Sequence, residues 1–136
     1  MLILLKGRNL LSKEVEGEAL VTSQPISFFG GVNPKTGLII EKNHELNGKN
    51  VAGKVLVFPY GKGSSLGSYV LYAMAKHGTA PSAILNIKTE AIIAVGCALA
   101  NIPLVDRLNK NPLEVIRTGD WVKIFSDGTV EVKKKA

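Results

Sequence analysis

The chain has 136 residues, enough for one domain with a sizeable core and too few for two of ordinary size. Hydrophobic residues make up 46% and charged residues 21%, which excludes a disordered chain, and no apolar run reaches the ~18 residues of a membrane helix. The formal net charge is +6, with the positive residues scattered and neither an RNP-type aromatic motif nor a basic helix present, so an anionic small substrate fits better than nucleic acid. The single cysteine, Cys97, excludes a disulfide framework and cannot by itself hold a structural zinc or an iron–sulfur cluster. No basic residue precedes the opening apolar run, so it is no signal peptide, and a cytoplasmic location is expected.

In chain order, "MLILLKGRNLL" reads as a first strand. "GEALVTSQPISF" (Gly17 to Phe28) carries β-formers around Pro25, which belongs at an edge or bulge. "FFGGVNPKTGLII" then places an Asn-Pro-Lys-Thr-Gly turn ahead of an apolar strand, Leu38 to Ile40. A polar loop containing His44 leads into a strand over Lys54 to Phe58. After a serine loop, Leu66, Val70, Ala73, Met74 and His77 share one face at helical spacing, and Gly78 ends the helix. "SAILNI" is a strand, and Thr89-Glu90 opens a helix, "EAIIAVGCALA", apolar nearly all round and so expected to be buried. "IPLVD" is a short strand, Asn111-Pro112 starts a helical turn, and "DWVKIFSDGTVEVKK" is a hairpin. The lysines Lys133 to Lys135 read as a solvated basic tail over residues 133–136. The sum is one β-rich α/β domain over residues 1–136 with two or three helices, as layered sheets or a partly closed barrel.

The stretch that invites chemistry is "PYGKGSSLGSY" (Pro59 to Tyr69). A Walker loop fails on order, because Lys62 precedes Gly63. A dinucleotide fingerprint fails because its third glycine falls on Leu66 and its distal acidic residue is missing. A general reading survives: Gly61 and Gly63 let the backbone bend, and Ser64 and Ser65 sit where a helix begins, with unpaired amides and the positive dipole end. Such a site attracts phosphate or carboxylate, Lys62 adds a full charge, and a serine alkoxide is stabilised there. The plainer reading, commoner on local pattern alone, is that Ser64 or Ser65 caps the helix. No Ser-His-Asp set accompanies the loop: His44 reads as a solvated loop residue and His77 as a partner for a helix C-terminus.

"YGKGSSLGSYVLY", taken with "GEALVTSQPISFFGGVNPKTG" and "HELNGKNVAGKVLVFPYGKGSSLGSY", resembles the swivel domain of the aconitase superfamily, in its aconitase X branch. The similarity runs from Gly7 to Phe125. It implies a β/β/α swivelling domain that is the small subunit of a heteromeric hydro-lyase, inactive without its large subunit. It implies further that Ser64 is the proton acceptor, that Ser65 contacts substrate beside Lys62 and Gly63, and that this chain binds no metal. A [4Fe-4S] cluster with one open iron is then held by the large subunit and acts on the substrate hydroxyl. The implied substrate is (R)-5-phosphomevalonate, dehydrated to trans-anhydromevalonate 5-phosphate in archaeal isoprenoid synthesis. One departure stands out, since the arginine that follows the two serines in aconitase is Leu66 here. Cys97 is expected as a small core residue, and Phe28 to Gly31 as part of the interface with the large subunit or as a simple buried turn. Three other readings stay open: another hydroxy acid such as hydroxyproline as substrate, an anion-binding module without catalysis, and a group-carrying or regulatory swivel domain. The last lacks an evident carrier residue.

Overall fold

The computed structural model describes residues 1–11 and 13–136. Eight strands form a sheet in the order β1-β8-β7-β3-β4-β5-β6-β2. These are β1 (Leu2–Lys6), β2 (Arg8–Leu11), β3 (Val15–Val21), β4 (Val55–Phe58), β5 (Ala83–Asn86), β6 (Leu104–Asp106), β7 (Trp121–Ile124) and β8 (Thr129–Lys133). The helical segments are α1 (Phe28–Gly31), α2 (Gly67–His77), α3 (Ala91–Ala100) and α4 (Pro112–Val115).

The expected single first strand is two. β1 pairs with β8 and β2 with β6, so one continuous stretch bonds to opposite edges of the sheet and nearly closes a barrel. Gly7 is the joint, because a Cβ there would lie 2.7 Å from the Asp106 carbonyl and 2.8 Å from Leu108.

β3, β4, β5 and β6 are parallel, with α2 and α3 as the crossovers from β4 to β5 and from β5 to β6. A βαβαβ run thus sits inside a sheet whose remaining pairs are antiparallel. β4 and β5 are buried on both faces, which is why "VLVF" and "AILN" are continuous apolar runs broken only by Asn86. On one face Leu56, Phe58, Ile84 and Leu104 meet Leu71 and Met74 of α2 and Ile93 and Cys97 of α3. On the other, Val55, Val57, Ala83, Leu85 and Val105 meet Leu5, Val122, Ile124, Val130 and Val132 inside the barrel. The architecture is therefore the layered, partly closed β/β/α arrangement expected of the sequence.

Several elements depart from expectation. Leu38 to Ile40 is no strand but two isolated bridges, Val32↔Ile39 and Leu38↔Asn50, around the Asn33–Gly37 turn. The buried side of α2 is Gly67, Ser68, Leu71 and Met74; Leu66 is exposed, which rotates the expected face. α3 is not buried all round, as Val95 and Leu99 are 50% and 47% exposed. The terminal lysines are not a free tail. Lys133 ends β8, the Lys134 amide donates to the Met1 carbonyl, and the Lys134 ammonium pairs with buried Asp120 at 2.5 Å.

Candidate active site

Ligands of open parallel sheets lie beyond the carboxyl ends of the strands. Here the serine loop leaves the end of β4, and three contacts fix its root. The Gly61 N–H donates to Glu90 Oε1 at 3.2 Å, the Lys62 N–H donates to the Ile26 carbonyl at 3.0 Å, and Ile26 and Gly61 form a parallel bridge. Glu90 is also the N-cap of α3, accepting from the amides of Ile92 and Ile93. A Cβ on Gly61 would lie 2.5 Å from that carboxylate, so only glycine admits the contact.

Beyond the root the chain turns outward. Gly63 has φ +83°, and a Cβ there would lie 2.4 Å from Ser27 Oγ. Residues 62 to 66 are all exposed. The Ser64 hydroxyl accepts the Leu66 N–H at 3.1 Å, and the Ser64 carbonyl accepts the Gly67 N–H at 2.9 Å. Leu66 occupies the N-cap of α2 and contributes no side-chain cap. Ser64 therefore does tie down the turn that leads into α2, in part as the capping reading expects. Its oxygen nevertheless stays on the surface, at the helix's positive end. Among the described residues no acceptor meets the N–H groups of Gly63, Ser64 or Ser65.

The turn Phe28 to Gly31 lies against this loop. Its inner dihedrals, Phe29 at −75°, 113° and Gly30 at 84°, −16°, are those of a type II β-turn, with glycine where a positive φ is required. Phe28 is buried against Phe58, whereas Phe29 is 50% exposed. Gly67 faces this turn, with the Phe29 amide 3.6 Å from where a Cβ would lie, and its lack of a side chain eases the close packing of Ile92, which would lie 3.1 Å from that Cβ. Phe29, Leu66, Tyr69 and Val95 are exposed apolar or aromatic side chains, and Tyr69 and Val95 share a groove with Ser65. A groove of about 270 Å³ runs from Ser65 between Tyr69, Ile92 and Val95.

Sequence reading did not single out Glu41, Ser27 or Glu90 as parts of this site. Glu41 Oε2 lies 2.8 Å from Lys62 Nζ, and its Oε1 accepts the Ser27 N–H at 3.1 Å. Burial pushes the Glu41 carboxyl up, but Lys62 and the Ser27 amide together hold it below the ordinary glutamate value. Lys62 is thus brought to the loop, as expected, and arrives already paired.

The histidines stay away from the serines. His44 is buried and not solvated: its Nδ1 accepts the Leu46 N–H at 3.0 Å, which leaves Nε2–H to donate to the Pro25 carbonyl at 3.2 Å. Cys97 is buried in α3, and burial with the nearby Glu90 charge pushes its thiol up to about 12. Among the described residues no group of three or more His, Cys, Asp and Glu is placed to hold a metal ion. No helix of the described residues is long and apolar enough to cross a membrane.

Comparison with known proteins agrees with this geometry. Residues 4–132 match the Aconitase X swivel domain. A Methanosarcina acetivorans protein named phosphomevalonate dehydratase small subunit is 52% identical over 133 residues, covering 97% of this chain and 92% of that protein. An Archaeoglobus fulgidus protein of the same name is 51% identical over 126 residues, covering 92% and 95%. The crystal structure of Thermococcus kodakaraensis aconitase X in its holo-form superposes with a TM-score of 0.91 at 41% identity, covering 97% of this chain and 99% of the chain it matches. The serine loop, the parallel strands that carry it and the nearly closed barrel beneath are together those of a member of the aconitase X swivel domain family.

Proposed function

We propose that this chain is the small subunit of a hydro-lyase that dehydrates (R)-5-phosphomevalonate to trans-anhydromevalonate 5-phosphate, with Ser64 as the proton acceptor. The observation that carries the reading is the exposed Ser64 oxygen at the start of α2, already accepting an N–H from Leu66. The name of its relatives, phosphomevalonate dehydratase small subunit, supports this substrate and a role in the mevalonate route.

A serine hydroxyl is a weak base in water. It becomes an effective one where a fixed N–H, a helix dipole and a dry surrounding favour the alkoxide. Leu66 N–H and α2 provide the first two, and closure of a partner over the exposed apolar rim provides the third. Ser64 takes the proton from the carbon next to the substrate carboxylate. The amides of Gly63 and Ser65, the Ser65 hydroxyl and Lys62 surround that carboxylate, in the place of the arginine missing at Leu66. The electron pair released forms the double bond and the β-hydroxyl departs, taking up a proton to leave as water.

Departure of the hydroxyl requires an acid. That half of the reaction belongs to the large subunit, which we assign the [4Fe-4S] cluster of aconitase-type chemistry. The large subunit docks over the serine loop, with Phe29 and its turn at the contact, in a cytoplasmic heteromer that needs neither nucleic acid nor membrane. The chain is then one swivel domain throughout, moving as a unit.

The test is anaerobic dehydration of 5-phosphomevalonate by the reconstituted two-subunit complex, with Ser64→Ala in parallel. Removing a general base lowers kcat by about 10²–10⁴-fold. Full activity in an assembled Ser64→Ala complex returns the serine to a helix-capping role. A complex that assembles but ignores 5-phosphomevalonate keeps the fold and partner and moves the substrate to another hydroxy acid, hydroxyproline among them.

A further inference from the structure

We infer that Glu41 is a specificity-determining residue: by cancelling the charge of Lys62 it tunes the serine loop to a singly charged carboxylate and against a phosphate dianion. The inference rests on the proposed reading of this loop as the site of the substrate carboxylate.

Glu41 is a fixed counter-ion and not a passing surface partner. Its side chain is 18% exposed, and one oxygen is held by the Ser27 amide while the other lies 2.8 Å from the Lys62 ammonium. Its own backbone N–H donates to the Gly31 carbonyl at 3.1 Å, and Gly31 leaves room for the carboxylate, since a Cβ there would lie 2.9 Å from Oε1. Burial and these partners hold it in place; the Lys62 ammonium and the Ser27 amide hold it ionised.

The serine loop's own cation therefore brings no net charge with it. What remains within the loop itself to bind an anion is a set of dipoles, the amides of Gly63, Ser64 and Ser65 and the positive end of α2, while Lys42 and His44 line the cavity that Glu41 shares with Lys62. Dipoles draw either anion, and Glu41 removes the further gain that a dianion would take from Lys62. A dianion would draw twice the benefit from an unpaired Lys62, and twice the repulsion from Glu41. A substrate that carries both a carboxylate and a phosphate is thereby turned one way round. The carboxylate meets Ser64, where the adjacent proton must be removed, and the phosphate is left to another surface.

The test uses the full chain, ¹⁵N-labelled, at pH 7.5 and fixed ionic strength. The amide signals of Gly63, Ser64 and Ser65 are followed during titration with sodium acetate and, separately, inorganic phosphate. Wild type should bind the two within about threefold of each other, despite the larger charge of phosphate. Glu41→Gln, which keeps an oxygen for the Ser27 amide, should tighten phosphate by about tenfold and acetate by about threefold. Lys62→Met should weaken both, phosphate more, and the double variant should return to within about twofold of wild type.

Weaker phosphate binding by Glu41→Gln, or a double variant no better than Lys62→Met, overturns the inference and makes Glu41 a clamp for Lys62. Wild-type preference for phosphate by tenfold, or no response of the three amides to either anion, also overturns it. Signals elsewhere in the chain report folding. Should Glu41→Gln unfold, Lys62→Met decides alone, because the Lys62 side chain is 46% exposed and not part of the core: phosphate weakened no more than acetate then overturns the inference. Failure here leaves Ser64 as base untouched, since that reading stands or falls on turnover by the Ser64→Ala complex.

Discussion

The carboxylate of Glu90 accepts the N–H of Gly61 at 3.2 Å while capping α3 through Ile92 and Ile93. One side chain thus joins the root of the serine loop, at the end of β4, to the first turn of a helix that follows β5. Glu90→Ala removes a helix cap, a change of about 1 kcal/mol, and leaves the Gly61 amide facing Ile93 without an acceptor. Urea denaturation should show a loss of about 2 kcal/mol, and the complex should lose kcat as the loop root loosens. A change below about 0.5 kcal/mol means that solvent replaces both contacts.

Phe29 stands 50% exposed on the turn packed against α2, next to the serines. If the large subunit closes there, Phe29→Asp should weaken assembly by at least about tenfold, an interface aromatic being worth about 2 kcal/mol or more. The variant should fold as wild type does, because Phe28 and not Phe29 fills the core. Titration of labelled small subunit with the large one reads this directly. Unchanged affinity would show the turn to be structural only.

Asp106 is fully buried at the end of β6, bonded by Arg8 through Nε and Nη2 at 2.9 Å each and by the Thr89 amide at 2.7 Å. Burial pushes its carboxyl up, and Arg8 with the Thr89 amide more than reverses that, holding it below the ordinary aspartate value. A group with a depressed folded-state value stabilises the fold above its unfolded pKa, about 3.9, and that contribution disappears as pH falls through the folded value. Stability should therefore decline below about pH 4, and Asp106→Asn should flatten that decline while lowering stability at pH 7. Equal acid sensitivity in variant and wild type would assign the decline to other carboxylates.

Cys97 offers a simpler check. With the thiol buried and pushed up to about 12, iodoacetamide should label it only on global unfolding, so labelling tracks the urea transition. Cys97→Ala should assemble into an active complex with unchanged iron content. Loss of iron with that variant would place a cluster ligand in this chain.

The elements that announced themselves in the sequence were those with local causes. The Asp127-Gly128 hairpin, the Gly78 cap and Asn111-Pro112 are each set by the residues themselves. The serine loop could be located from Gly61, Gly63 and the pair of serines, but what holds it could not. Glu41 lies 21 residues before Lys62 and Glu90 29 residues after Gly61, and no spacing rule links them. His44 failed for a related reason: a polar neighbourhood in sequence said nothing of the Pro25 carbonyl that buries it. α3 misled because apolar residues on its outer face, Val95 and Leu99, carry no polar signal that would mark that face as exposed.

The joint at Gly7 also orders events in time. β1 has its partner in residues 129–133 and β2 in residues 104–106, so both strands wait for segments made much later in the chain. The parallel strands, with their nearby crossovers, can assemble while the leading "LILLK" is still unpaired. The barrel closes only when the C-terminal hairpin arrives, at a high loop-closure entropy. Until then an apolar strand is open to any other edge it meets.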